Sequence, residues 1–226
     1  MTLYSSIKFK RLKLRTLVIL LFMPAFAIMG LQAQTLADIT HSVESKYRNL
    51  KSVSMVFTKE VKSENFDAKE KGKGKIWMKN SDKFRIDSDR EQIISDGKVV
   101  WIYSKENKQV TKNRKEKVKN VLDFGQSFAD FNGNYEVALK GKDKVLDLPC
   151  LILELTPKKE NEFVTKLFLW VESKTYLIRK IEYLDINDNH ISLLFNQISP
   201  NAKISDKKFS FQLPQGVELV DLTDMK

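Results

Sequence analysis

The sequence predicts a mainly β protein with helices: an antiparallel sheet, strongly curled, with helices packed across its mouth and an apolar cavity beneath them. Three observations lead there. From Val53 onward apolar and polar residues alternate with a period of two, between closely spaced turn signals. Residues 35–50 have a helical period instead. Several strands are apolar on both faces, whereas an antiparallel strand with one face in water alternates.

Residues 1–33 have the three parts of a secretory signal. Basic Lys8, Lys10, Arg11, Lys13 and Arg15 are followed by an apolar run from Thr16 to Gly30 and then by Ala33. Cleavage near Ala33 is expected, with residues 34–226 forming one exported domain; an uncleaved anchor is the alternative. The only cysteine, Cys150, lies inside the apolar run Leu148–Leu155. It is far from any lipidation position after a signal and has no partner for an intramolecular disulfide. The remaining 193 residues are enough for an ordinary core.

Leu36, Ile39, Val43, Tyr47 and Leu50 recur at steps of three and four, an amphipathic helix suited to cover a sheet. Val53, Met55 and Phe57 then begin the strands. Turns are expected at Asn80-Ser81-Asp82, Asp96-Gly97, Asn132-Gly133-Asn134, Pro157 and Asp188-Asn189. The Asp96-Gly97 pair favours the positive φ angles of a type I′ hairpin. Its second strand has Val99, Trp101 and Tyr103 on one face and Val100 and Ile102 on the other, so something apolar covers each side. The protein's own helices, an opposing sheet or a hydrophobic ligand would each serve. Val118, Val121, Leu122, Phe128 and Phe131 have roughly helical spacing, interrupted by Gly125. Phe163, Leu167, Leu169 and Val171 share one face of a later strand, with Phe168 and Trp170 on the other. A well-packed sandwich without a cavity satisfies the same pattern.

The formal net charge is +10, but residues 1–33 hold five basic residues and no acid, leaving 34 basic against 29 acidic. That surplus is too small to argue for nucleic acid, and no recognition motif accompanies it. Seven of the basic residues lie between Lys105 and Lys119, as a solvated hairpin tip or a docking patch for anionic lipid or an acidic partner. Catalytic motifs are missing. His41 and His190 sit in no metal-binding or nucleophile context, and no glycine loop is placed to cradle phosphate. Asp185, Asn187 and Asn189 imitate the start of a calcium loop, but His190 stands where it needs Gly and Asn196 where it needs Glu, so a β-turn is expected. Neither a metal nor another cofactor is implied.

In order, Phe57-Thr58-Lys59-Glu60-Val61, Gly72-Lys73-Gly74-Lys75-Ile76-Trp77, Lys83-Phe84-Arg85, Ser95-Asp96-Gly97-Lys98 and Phe209-Ser210-Phe211-Gln212-Leu213-Pro214-Gln215-Gly216-Val217 resemble the periplasmic outer-membrane lipoprotein carrier family, the LolA-like proteins. The resemblance covers nearly the whole chain after residue 33. It implies an incomplete antiparallel β-barrel closed by a helical lid over a cavity for lipoprotein acyl chains. The cargo would come from an inner-membrane ABC transporter complex and go to an outer-membrane acceptor, with the carrier a monomer. On that reading acyl chains are expected to meet Trp77, Phe84, Ile86, Ile94, Trp101, Tyr103, Phe168 and Trp170, and Asn80 and Phe84 to couple lid and transfer. Asn80 stands where better-known members have an Arg that helps hold the lid closed, and Lys59 replaces their usual Gln. A lipid- or lipoprotein-sensing module and, from a different class, a lipid hydrolase are the rival functions.

Overall fold

The computed structural model describes residues 35–63, 68–80, 82–118, 130–158, 164, 166–185 and 188–224. All belong to the second of two compact units, Gln34–Lys226. The chain enters through helix α1, Leu36–Asn49, close to the predicted 35–50. A capping box starts it: the Asp38 amide donates to Thr35 Oγ1 (3.2 Å) and the Thr35 amide to Asp38 Oδ2 (3.1 Å), satisfying two N–H groups that the helix leaves unpaired. Lys46 and Arg48 in the last turn complement the helix dipole. Ile39, Val43 and Tyr47, one turn apart, form the buried face.

Among the described residues twelve strands follow, with one short helix between them. They are β1 (Ser52–Ser63), β2 (Ala68–Lys79), β3 (Lys83–Ser88), β4 (Glu91–Asp96), β5 (Val99–Ser104) and β6 (Gln109–Arg114), then a 3-10 turn at Lys115–Lys117 and α2 (Phe131–Asn134). β7 (Tyr135–Val145), β8 (Leu148–Pro157), β9 (Lys166–Glu172), β10 (Ile178–Leu184), β11 (Asn189–Pro200) and β12 (Glu218–Asp221) complete the chain. All twelve join one sheet in the order β12-β6-β5-β4-β3-β2-β1-β11-β10-β9-β8-β7. Every pairing is antiparallel except β12 with β6. The sheet is open and curled, with β12 and β7 as its edges, so the barrel is incomplete.

Alternation assigns the two faces. Val53, Met55, Phe57, Ile76, Met78, Phe84, Ile86, Ile93 and Val100 lie on the inner face, joined by Leu151, Leu153, Leu155, Leu167, Leu169, Val171, Ile178, Ile181, Leu193 and Phe195. With Ile39, Val43 and Tyr47 of α1 they form one continuous core. Gly74 belongs to this face because nothing larger fits: a Cβ there would lie 2.5 Å from the Asp87 carbonyl and 2.5 Å from the Phe57 ring.

The outer face is covered differently on the two sides of the sheet. Over β1 to β5 the cover is the C-terminal strap, residues 201–217. Ser52 Oγ donates to the Ala202 carbonyl (2.6 Å) and Lys79 Nζ to that of Ile204 (3.1 Å). Lys208 Nζ lies 3.7 Å from the centre of the Trp77 ring, Phe209 is buried, and Phe211 stacks on Trp101 at 6.1 Å. The strap ends as β12, which pairs in parallel with β6 and forms that edge of the sheet. On the other side Val145, Cys150 and Trp170 form a small second core, packed by Ile152, Phe168 and Leu194. The bulge at Gly141 (φ 146°) accompanies the approach of β7 to this face, where Trp170 Nε1 donates to Asp143 Oδ2 at 2.9 Å.

Local expectations divide. The β4–β5 turn has positive φ at Gly97 (100°) but not at Asp96, so it is not type I′. The Asp96 carboxylate instead accepts from the amides of Lys98 (2.8 Å) and Val99 (2.9 Å), and a Cβ on Gly97 would approach Asp82 Oδ2 to 2.8 Å. The two-residue loop with positive φ at both positions is Leu146-Asp147 (50° and 61°), between β7 and β8. Asn132-Gly133-Asn134, expected as a turn, lies within α2. Asp185, read as part of a β-turn, accepts from the Asn189 amide (2.9 Å) and from Asn189 Nδ2 (2.8 Å), which closes the turn before β11. Of the helical spacing expected over 118–131, residues 119–129 lie outside the described residues, as do the signal in 1–33 and Phe163.

Candidate functional site

The inner face under α1 is the candidate site, and its chemistry is apolar. Phe84 and Ile86 alternate inward on β3, opposite Met78 and Ile76 of β2 and Ser95 and Ile93 of β4. Phe84 is 5% exposed and Ile86 2%, both within the core that α1 joins. Two polar ties hold the helix among these side chains. The Ile178 amide donates to the Tyr47 hydroxyl across the interior (3.1 Å), and the Asn132 amide donates to Glu44 Oε1 (3.1 Å), linking α1 to α2. Burial pushes the Tyr47 hydroxyl up to about 12, so it stays a neutral phenol throughout the physiological range. Asn80 caps the β2–β3 turn with φ 55°, and its amide donates to the Lys51 carbonyl (3.0 Å). It borders a void of about 20 Å³ shared with Tyr47, Leu50, Val53 and Met78, at the C-terminal end of α1.

The eight residues expected to meet acyl chains fall on both faces. Phe84 and Ile86 share the inner face with α1. Trp77, Ile94, Trp101 and Tyr103 alternate outward on β2, β4 and β5, on the side of the strap, and Phe168 and Trp170 belong to the second core. The apolar pattern selects these strands, and the structure divides the eight residues between the two faces of the sheet. The sequence marks Tyr47 only as a position on the helix's apolar face and gives no signal at Glu44, so neither tie is visible in it.

A larger cavity, about 370 Å³, lies on the outer face and is lined by Glu60, Lys62, Asp143, Lys180, Glu182, His190, Ser192 and neighbours. Its groups are engaged with one another. Lys180 pairs with Glu182 (2.6 Å) and lies over the Trp170 ring, while His190 Nε2 is 3.9 Å from Glu182 Oε2, too long for a hydrogen bond. No group of three or more His, Cys, Asp or Glu among the described residues is arranged to hold a metal.

The described residues thus form an open, curled antiparallel sheet with an amphipathic helix packed on its apolar inner face. The family described as "Outer membrane lipoprotein carrier protein LolA" matches residues 48–212, and the chain belongs to it. Curated relatives include the outer-membrane lipoprotein carrier protein of Nitrosomonas europaea, 26% identical over 211 residues that cover 89% of this chain and 98% of that protein. The carrier of the same description from Photobacterium profundum is 29% identical over 205 residues, covering 86% and 95%. Among solved structures, an uncharacterized conserved protein from Thermus thermophilus shares the fold with a TM-score of 0.54 at 11% identity, over 82% of this chain and 98% of that one.

Proposed function

We propose that this protein is a periplasmic carrier that binds lipoprotein acyl chains against the inner face of its sheet and shuttles them from the inner to the outer membrane. The observation that carries the reading is that face: an apolar surface shared by β1–β5 and β8–β11, covered by a helix of 14 residues, in a member of the lipoprotein carrier family. Moving an acyl chain from membrane to water costs about 0.8 kcal/mol per methylene, so a lipidated protein crosses an aqueous gap only inside a partner that replaces the lost contact. Displacing α1 would expose that replacement. Cargo would then take the contacts that Ile39, Val43 and Tyr47 make in the closed form, with Phe84 and Ile86 in the wall.

Where better-known relatives have an Arg, Asn80 offers only a short amide, and the closing role passes to the Tyr47 and Glu44 ties. The sequence holds no phosphate-cradling loop. Loading therefore falls to an inner-membrane ABC transporter complex and release to a higher-affinity outer-membrane acceptor. Residues 1–33 supply the periplasmic address, with cleavage near Ala33, and the reading includes no catalytic step.

The test is transfer of a labelled lipoprotein from donor to acceptor membranes by wild type and by Phe84→Glu, with melting curves for both. Transfer by the wild type, lost in the folded variant, supports the reading. Absence of transfer by the wild type, or full transfer by the variant, refutes the carrier function or the role of Phe84.

A further inference from the structure

Strand β2 has a second pattern that the inner face does not use. Its register is unbroken against β1, so Lys69, Lys71, Lys73 and Lys75 all alternate to the outer face, in line with Trp77, while Gly72 and Gly74 take the inner positions. All four lysines are exposed. At the rise of a strand they stand about 7 Å apart and span roughly 20 Å in one row. The nearby acids only partly offset the row. Glu60 is shared by Lys71 (2.9 Å) and Lys69 (3.4 Å), and Asp206 by Lys83 (3.2 Å) and Lys79 (3.3 Å), one carboxylate for two ammonium groups in each case. Asp87 is held by Arg85 through two hydrogen bonds (2.9 and 3.3 Å). Lys73 and Lys75 have no ion pair among the described residues, although Lys75 sits between Val56 of β1 and Asp87 of β3 and the Lys73 amide donates to Asp89 Oδ2 (3.2 Å), so these carboxylates offset part of their charge. At the end of the row Lys208 stands over Trp77. Its ammonium is held below the usual lysine range, first by burial and then by repulsion from Arg85, with Asp87 opposing and Lys75 adding a smaller repulsion.

We propose that this lysine row on the outer face of β2 docks the protein onto an anionic phospholipid surface. Ammonium groups on long flexible stems, evenly spaced in one row, suit a plane of diffuse headgroup charge better than a fixed carboxylate pair, which favours the planar fork of Arg. The docking face is opposite the one under α1, so docking leaves the inner face unobstructed. The inference stands apart from the acyl-carrier reading, because it needs only the outer face.

Each lysine near such a surface is worth roughly fivefold in partitioning. The experiment is co-sedimentation of the purified protein with phosphatidylcholine vesicles, with or without about 30% phosphatidylglycerol, at about 50 and about 300 mM salt. The test variant is Lys73→Glu/Lys75→Glu. The control is Lys142→Glu/Lys174→Glu, which makes the same charge change at two exposed positions away from the row and from the basic segment 105–119; melting curves establish that both are folded. Expected are binding to the anionic vesicles only, loss of binding at the higher salt, a decrease of at least about twentyfold in the row variant and of less than about threefold in the control. Equal losses in the two variants would reduce the effect to net charge and overturn the proposal. So would equal binding to neutral vesicles, no vesicle binding at all, or row-dependent binding to polyglutamate without binding to vesicles, which would indicate an acidic protein partner.

Discussion

Replacing Tyr47 by Phe removes one oxygen from the interior and should open the helix without harming the sheet. The Tyr47 hydroxyl accepts from the Ile178 amide at 3.1 Å, and Ile178 is 1% exposed, so in the variant that N–H is stranded wherever α1 stays docked. Leaving a buried donor unmade costs about 1–3 kcal/mol, and undocking gives it access to water. The ring still packs, so apolar burial by Ile39, Val43 and the aromatic ring, about 2 kcal/mol each, is retained. The closed form is then weakened by about 1–2 kcal/mol relative to the open one. If a ligand binds only the open form and that form is scarce, its apparent affinity rises by the same factor, about 5- to 30-fold. The assay is titration of wild type and Tyr47→Phe with a long-chain fluorescent acyl probe, alongside amide exchange of residues 36–49. Tighter probe binding, faster exchange in α1 and a melting point only a few degrees lower are expected. Unchanged or weaker affinity, with α1 exchanging faster, would refute the idea that the helix competes with the ligand.

Gly74→Ala should lower the melting temperature through a cost of about 1–3 kcal/mol, because its Cβ would meet the backbone of β3; Gly72→Ala, with open space around it, should be nearly neutral. Equal melting curves for the two would contradict this packing. Phe209→Ala should cost about 3–5 kcal/mol and shift tryptophan emission to the red, since Trp77 and Trp101 lose their cover; an unchanged spectrum would place the strap elsewhere. The strap should also loosen in acid. Asp221, hydrogen-bonded first by Lys112 and then by Thr223, has its carboxyl lowered from 3.8 to about 2, and Lys83 and Lys79 lower that of Asp206. A depressed carboxyl contributes stability above its unfolded value and loses it as the pH falls through the folded one, so amides 218–222 should exchange faster as the pH drops from about 4 towards 2. Exchange there that keeps pace with β1 would show that these pairs do not hold the strap.

Much of the fold was legible because periods are physical. Residues 36–49 declare themselves through one apolar stripe, and β1 through the alternation of Val53, Met55 and Phe57. Strands with two apolar faces were harder. Ile93 and Ile94 are equally apolar, so nothing in the sequence says which one joins the core of α1, nor on which side of the sheet Trp101 and Tyr103 lie. The β4–β5 hairpin announces that both of its faces are covered, but not by what: one joins the core that includes α1, and the strap lies on the other. Phe209 and Phe211 lie in an irregular segment without a period, where burial leaves no trace in the pattern. Leu146 adopts a positive φ that Gly or Asn would have advertised and Leu does not. The ties of α1 depend on residues far apart in sequence, Tyr47 with Ile178 and Glu44 with Asn132, and only the folded chain brings them together.

The central claim, that the inner face is an acyl-binding surface, is tested most directly by titrating wild type with fluorescent probes of increasing acyl length and one constant headgroup. Progressive burial predicts a dissociation constant that falls by up to about fourfold per added methylene until the face is filled, then levels off. An affinity indifferent to chain length, or set by headgroup charge alone, would contradict it and leave the inner face a closed core.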